Sequence, residues 1–266
     1  MTLGFAQPLH RSATQSLIQK MKTLLVSALV AALLAFDTPP TPNTLTAREK
    51  KNGWKLLFDG TSTKGWRGAY KDTFPSAGWS VQDGTLTIAR TDGSESRNAG
   101  DIVTEEEFGE FDLQFEFKLT EGANSGLKYF VVEQQPKPAG SAFGLEFQVL
   151  DDDRHPDAKM GRNGNRTVGS LYDLIPAKDK AAKPIGEWNQ GRVLVKGAHV
   201  EHWLNGKKVV EYERGSQAFR ELVAQSKYSA PAYNKNGRFG EAARGRILLQ
   251  DHGDRVYFRN IKIKSL

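Results

Sequence analysis

Between Phe111 and Leu119 the chain alternates without a break. Phe111, Leu113, Phe115, Phe117 and Leu119 are apolar, and Asp112, Gln114, Glu116 and Lys118 between them are polar or charged. Side chains of a strand point to opposite faces with a period of two, so this stretch specifies a long strand with one packed face and one wet face. A helix would scatter the same five apolar side chains around its circumference. A half-buried strand of this length needs neighbours in a sheet and a second layer over its apolar face.

The neighbours follow the same period. Residues 79–82 and 85–89 flank Asp83-Gly84, and 199–204 and 207–212 flank Asn205-Gly206; both dipeptides are two-residue hairpin signals. Further strands are expected at 55–58, 126–132, 145–150, 192–196, 246–250 and 256–263. In the last of these the apolar set moves from even positions (Val256, Phe258) to odd ones (Ile261, Ile263), which predicts a bulge near Arg259-Asn260. One segment reads as helix: Ser216 can cap it, and Phe219, Leu222 and Val223 have i, i+3, i+4 spacing. Many antiparallel strands and one short helix specify an all-β, two-sheet sandwich or jelly roll. The 26 glycines suit tight turns and close backbone approach.

The N-terminal stretch has a different character. Met21-Lys22 opens an uncharged, mostly apolar run from Thr23 to Phe36, with Ala35 near its end. This is the pattern of a secretory signal, too short to span a bilayer comfortably. Residues 1–20 then read as an over-extended start, 21–36 as the signal, 37–49 as a Pro/Thr-rich linker, and 50–266 as a single domain, with ordered structure expected from near Trp54. The product is expected outside the cell or in the periplasm, with no membrane anchor after cleavage. The chain's formal charge of +6 includes Arg11, Lys20 and Lys22 of the expected leader; without them it falls to +3. So small an excess, with no long basic run, argues against a nucleic-acid partner. Cysteine is absent, which excludes disulfides, thiolate metal sites and a cysteine nucleophile.

Three stretches can carry chemistry. In the strand 145–150, Glu146 and Gln148 share one face while Leu145, Phe147 and Val149 share the other. That polar face is either simply solvated or a rigidly held site. Downstream, Asp151-Asp152-Asp153-Arg154-His155-Pro156-Asp157 is either a solvated acidic turn or a cation site. Finally, Gln250-Asp251-His252-Gly253-Asp254 places an imidazole beside carboxylates, suited to proton transfer near neutral pH or to a plain hairpin turn. Lesser candidates are Asn124-Ser125-Gly126, Lys128, Tyr172, Trp188-Asn189 and His202. Trp66, Trp79, Trp188 and Trp203 are available either for sugar stacking or for core packing.

Taken in order, these stretches resemble one family. Its motifs are matched by Trp54-Lys55-Leu56-Leu57-Phe58-Asp59-Gly60 with Gly65-Trp66, Asn124-Ser125-Gly126-Leu127, residues 144–152, Gly169-Ser170-Leu171-Tyr172-Asp173 and Gly186-Glu187-Trp188-Asn189. Trp203-Leu204-Asn205-Gly206, Leu249-Gln250-Asp251-His252-Gly253 and residues 256–261 complete the set. The whole resembles the secreted 3-keto-disaccharide hydrolases, also described as 3-keto-glucoside 1,2-lyases and 3-keto-2-hydroxy-glucal hydratases. The resemblance implies a concanavalin-like sandwich, a small carbohydrate substrate, and β-elimination followed by hydration. Family members often carry Arg near the position of Phe130; here Lys128 is the cation of that strand, and an ammonium is not a guanidinium fork.

For such chemistry the resemblance implies His252, Glu146 and Asp251 as catalytic residues, with Asp251 orienting the imidazole. Gln148, Lys128, Tyr172, Ser125 and Trp188 are implied as substrate contacts. One divalent metal on Glu146, Asp152 and His252 is the cofactor expectation, with no organic cofactor. Two other readings remain open on residues alone. One is a non-catalytic, lectin-like module. The other is a two-carboxylate glucanase, since residues 146–151 loosely resemble the motif Glu-x-Asp-x-x-Glu; Gln148 in place of its middle acid argues against that.

Overall fold

The computed structural model describes residues 1, 2, 4, 41–91, 99–137, 140–234 and 236–266. The expected signal at 21–36 lies outside the described residues, as does the upstream stretch apart from residues 1, 2 and 4. The chain divides into Met1–Thr41 and Pro42–Leu266, and every element below belongs to the second unit.

Thirteen strands occur among the described residues. They are β1 (Lys55–Leu56), β2 (Trp66–Gly68), β3 (Trp79–Gln82), β4 (Thr85–Ile88), β5 (Ile102–Thr104), β6 (Phe111–Leu119) and β7 (Asn124–Val131). After them come β8 (Leu145–Leu150), β9 (Trp188–Lys196), β10 (His199–Leu204), β11 (Lys207–Glu213), β12 (Arg246–Leu249) and β13 (Val256–Ser265). Two antiparallel sheets result. The larger runs β11-β10-β9-β6-β13-β4-β3, with β1 also on β13; the smaller runs β2-β5-β12-β7-β8.

The alternation in β6 does what its period requires. Its odd residues are buried and its even ones half-buried. Phe115 and Phe117 meet Phe147 of β8 across the sandwich at centroid distances of 5.2 and 6.4 Å. Gly191, opposite Phe115 on β9, leaves room for that ring, since a Cβ there would lie 2.3 Å from it. Both expected hairpins close with left-handed pairs, Asp83 (φ 48°) with Gly84 and Asn205 (φ 50°) with Gly206, as the type I′ turn demands. The bulge in β13 falls between Arg259 and Lys262, with Asn260 at φ 52°. The helix capped by Ser216 is present as Gln217–Ala224.

Ordered structure begins earlier than Trp54. Thr46 caps a short helix, Ala47–Lys51, through a reciprocal capping box with Glu49. Asn43 is buried and exchanges backbone-to-side-chain hydrogen bonds with Asn260, while its amide donates to the Gly84 carbonyl (2.8 Å). Asn43, within the segment expected to be linker, therefore pins the β13 bulge and the first hairpin.

His202, on the inner face of β10, is fully buried. Its Nδ1 faces the Gly169 carbonyl at 3.1 Å and its Nε2 faces the Tyr129 hydroxyl at 2.7 Å. A carbonyl only accepts, so Nδ1 carries the proton and Nε2 accepts from Tyr129. Burial lowers the imidazole pKa from 6.5 to about 4. Below pH 6.5 the unfolded ring takes up a proton that the folded ring refuses until about pH 4. Stability from this group is thus complete above pH 6.5 and is lost as pH falls towards 4. We expect a decrease of about 2 kcal/mol between pH 8 and pH 5 by chemical denaturation, and a shallower pH slope in His202→Gln. An unchanged slope in the variant would assign the effect elsewhere.

Candidate active site

Strands β7 and β8 pair with Lys128 opposite Glu146 and Gly126 opposite Gln148. Since Leu127, Tyr129, Phe147 and Val149 fill the inner face, Glu146, Gln148 and Lys128 stand together on the outer one. That face is not solvated. Glu146 is 4 % exposed, Gln148 1 % and Lys128 6 %. A buried ionic row needs partners, and it has them. Lys128 Nζ lies 3.7 Å from Glu146 Oε2 and donates to Ser141 Oγ at 2.5 Å; Ser141 in turn donates to Asp101. With its amide nitrogen turned towards the carboxylate, Gln148 donates to Glu146 Oε1 at 3.1 Å. Gly126 is the floor beneath the carboxylate: a Cβ there would lie 2.2 Å from Glu146 Oε1.

The cover comes from the chain after β8. Residues 169–172 run along its outer edge, with Gly169 N–H donating to the Gln148 carbonyl (2.9 Å) and Tyr172 N–H to the Glu146 carbonyl (3.0 Å). This contact places Tyr172 beside Glu146. The Tyr172 hydroxyl donates to Asp157 Oδ2 (2.8 Å), and Arg166 bridges Asp157 (2.8 Å) and Asp173 (2.6 Å). Burial first, then the Glu146 and Asp157 charges, push the Tyr172 pKa well above 10. The phenol therefore remains protonated.

Asp157 leads on to the imidazoles. Its N–H donates to His155 Nδ1 (3.2 Å), and the His155 and His252 rings stand perpendicular with centroids 5.8 Å apart. Potential ligand atoms of His155, His252 and Asp254 lie within 4.8 Å of one another. One carboxylate oxygen of this set, Asp254 Oδ2, accepts from Asn124 N–H (3.0 Å). His252 Nδ1 is buried with no hydrogen-bond partner among the described residues. Burial and the neighbouring His252 lower the His155 pKa below 6.5, so that ring is neutral at pH 7. With Nδ1 accepting from Asp157, its proton sits on Nε2.

Two histidines and a carboxylate suit a divalent transition metal in donor type, and the unpartnered His252 Nδ1 would offer one its lone pair with the ring proton on Nε2. Ligation through His155 Nε2 would require its proton to move to Nδ1, with loss of the Asp157 contact. The trio expected earlier, Glu146, Asp152 and His252, is not gathered. Asp152 is occupied by Val168 N–H (2.7 Å) and Lys180 (2.6 Å).

A family model for the 3-keto-alpha-glucoside-1,2-lyase-like domain matches residues 53–264. The chain belongs to this family. A relative from Bacteroides thetaiotaomicron, named 3-keto-disaccharide hydrolase, is 38% identical over 230 residues, covering 81% of this chain and 79% of the relative. Two crystal structures from Parabacteroides distasonis, described as candidate glycosyl hydrolases, are 32% and 30% identical. They superpose with TM-scores of 0.72 and 0.59, covering 85% and 81% of this chain and all of each of theirs.

Within this family member, other residues singled out from the sequence have different work. Ser125 is fully buried and donates to the Gln250 carbonyl (2.8 Å). Trp188 lies on the outer face of the larger sheet, its ring under Arg259 at 4.0 Å. Trp203 lies on that face too, with Arg192 5.5 Å from its ring. Trp66 and Trp79 are core residues whose indoles donate to the Leu57 and Gly100 carbonyls. Sequence reading missed Asp101, Ser141 and Arg166, which sit in loops without periodicity.

Among the described residues the Asp251 carboxylate makes no hydrogen bond to the His252 ring. Its buried carboxylate accepts from the N–H groups of Ala99 (3.2 Å), Gly100 (3.0 Å) and Gly253 (3.0 Å). It ties the His252 turn to the chain entering β5. Asp251→Ala strands three amide donors, so we expect a loss of about 3 kcal/mol in guanidinium denaturation. A loss below about 1 kcal/mol would restore an orienting role for Asp251.

Proposed function

We propose that the protein cleaves 3-keto-disaccharides by elimination across C1–C2 followed by hydration. One observation carries this reading: a line of contacts runs from the enclosed Lys128–Glu146 pair through Tyr172 and Asp157 to the His155–His252 pair. Acid–base groups and a cation are thereby linked through neighbouring residues, which supports a common site. The family match and the relative named for 3-keto-disaccharide hydrolysis supply the substrate class.

A ketone at C3 acidifies the hydrogen on C2. A base takes that proton, and the C–H electrons pass into an enolate on O3. Collapse of the enolate re-forms the ketone and breaks the C1–O bond, whose oxygen leaves with a proton from an acid. Water then adds at C1 while C2 regains a proton, so one water is consumed overall. His252 is the base in this reading: no hydrogen bond among the described residues holds its Nδ1, so the ring is free to carry its lone pair on either nitrogen. Glu146 is the second proton-transfer group. Lys128 balances charge developing on O3, an effect strengthened where water is excluded. Protonated Tyr172 and the Gln148 amide hold hydroxyls or the keto oxygen. The neutral His155 presents Nε2–H beside His252, so a donor and an acceptor stand together.

The His155–His252–Asp254 cluster favours a second reading of the same site, in which it holds a divalent cation. Bound there, the cation would supply Lewis-acid polarisation of the ketone, and Glu146 would take over as base.

Matched plain and 3-keto glucosides test the reaction. Only the keto substrate should be consumed, and His252→Ala and Glu146→Gln should each slow turnover about a hundredfold or more. Unchanged turnover in both variants, or cleavage of the plain glycoside, defeats the proposal. Gly126→Ala should fold yet lose turnover to a similar degree, about a hundredfold, because the added methyl displaces the carboxylate. For the cation, calorimetric titration with Zn²⁺ or Mn²⁺ is decisive. One equivalent bound by the native chain, lost in Asp254→Ala, together with inactivation by a chelator, selects the metal reading; full activity after chelation rejects it.

A further inference from the structure

A cleft of about 490 Å³ opens beside the site, in a region without the acid–base groups described above. Phe130, Phe143, Tyr233, Gln134, Asn234 and Arg238 are among its walls. Its volume is in the range of small-ligand sites. Its walls combine apolar faces with hydrogen-bonding groups: the Phe143 and Tyr233 rings meet at 4.6 Å, side-chain amides stand around them, and Arg238 adds an exposed guanidinium, a lining that suits the ring face and hydroxyls of a sugar. The carboxylate in its wall, Glu241, is held by both nitrogens of a bidentate Arg220 fork at 2.8 Å. That group is committed to an ion pair and is not placed for proton transfer. The cleft is built to bind rather than to react.

Its position relates it to the reacting groups. Gly144 lines the cleft and precedes Glu146 by two residues, a separation of at most about 7 Å along the chain. A shared wall joins the two regions. Tyr233 borders the cleft and meets the buried Tyr228 ring at 5.7 Å. Burial, and then the charge of Glu146, raise the Tyr228 pKa.

We propose that this cleft is the subsite for the leaving sugar, with its pyranose ring against Phe143 and Tyr233 and its hydroxyls on the neighbouring amides. The inference rests on the reaction proposed above, since only a cleaved glycoside has a leaving sugar. It predicts that the protein selects glycosides by what is attached at C1, with a second hexose preferred over a small alkyl group.

The test compares methyl 3-keto-glucoside with a 3-keto-glucose disaccharide, on the native chain and on Phe143→Ala and Tyr233→Ala. For the disaccharide, kcat/KM should fall about tenfold in each variant, the equivalent of one lost ring contact, while the methyl glycoside changes less than about twofold. Equal losses on both substrates, or none on either, overturn the subsite. A second arm needs no turnover. Saturation-transfer NMR with free glucose should show contact to the native protein that is lost in Tyr233→Ala. Native protein inactive on both keto substrates would end the proposed reaction, while the NMR arm would still decide the cleft: no saturation transfer to glucose, or transfer unchanged in the variant, rejects it.

Discussion

The pairing of Lys128 with Glu146 across β7 and β8 is the interaction on which the rest of the site depends. Their nitrogen and oxygen stand 3.7 Å apart with neither side chain more than 7 % exposed. Taking two charges out of water costs several kcal/mol per ion unless other dipoles replace the solvent. The architecture around the pair is organised by that need. Ser141 and Asp101 extend it on one side, and the Gln148 amide completes it on the other. The backbone of 169–172 closes the edge of β8 that would otherwise expose it. The same cover sets Tyr172 beside Glu146, and through Tyr172 it is linked to Asp157 and His155.

The larger sheet contributes rigidity. Its aromatic residues press on Phe147, which lies between Glu146 and Gln148 in sequence and fixes the register that turns those two outwards. His202 adds a second tie, because its Nδ1–H holds the Gly169 carbonyl and Gly169 N–H holds Gln148. The core histidine and the Gln148 main-chain carbonyl are thus two hydrogen bonds apart through one loop residue. Fold and site are coupled at that loop: a change in His202 reaches Gln148 through Gly169, without touching any group on the outer face.

Period-two patterning made the sandwich legible, because packing of alternate side chains against the second sheet leaves its mark in composition along β6 and from Leu145 to Val149 in β8. The same rule put Glu146 and Gln148 on one face. It also contained the answer for Ser125, which shares parity with Leu127 and Tyr129 and so had to face inwards. What patterning could not show is whether the outer face of β8 was wet. That depends on loops folding back over it, and the loop residues that matter, Ser141, Arg166 and Asp101, follow no period. Asp251 was misleading for a chemical reason: a carboxylate beside a histidine has the same sequence signature whether it orients the ring or clamps backbone amides. The capping box at Thr46 and Glu49 was readable, but the Pro-rich stretch before it made the whole region look like a linker.

Gln148 shows why this face carries one acid where sandwich glucanases carry more. Its amide lies 3.1 Å from Glu146 Oε1. A carboxylate at that position would set two anions against the single ammonium of Lys128, in a place where screening by water is weak. Like charges so close do not both ionise, and one pKa rises strongly. An amide avoids that conflict and donates to Glu146 instead of repelling it. Glu146 then faces one cation and one neutral donor. This arrangement suits a carboxylate that exchanges a proton with substrate while an adjacent positive charge attends the enolate oxygen. It does not suit a pair of acids flanking a glycosidic bond, because the second acid is missing and the space it would need is occupied.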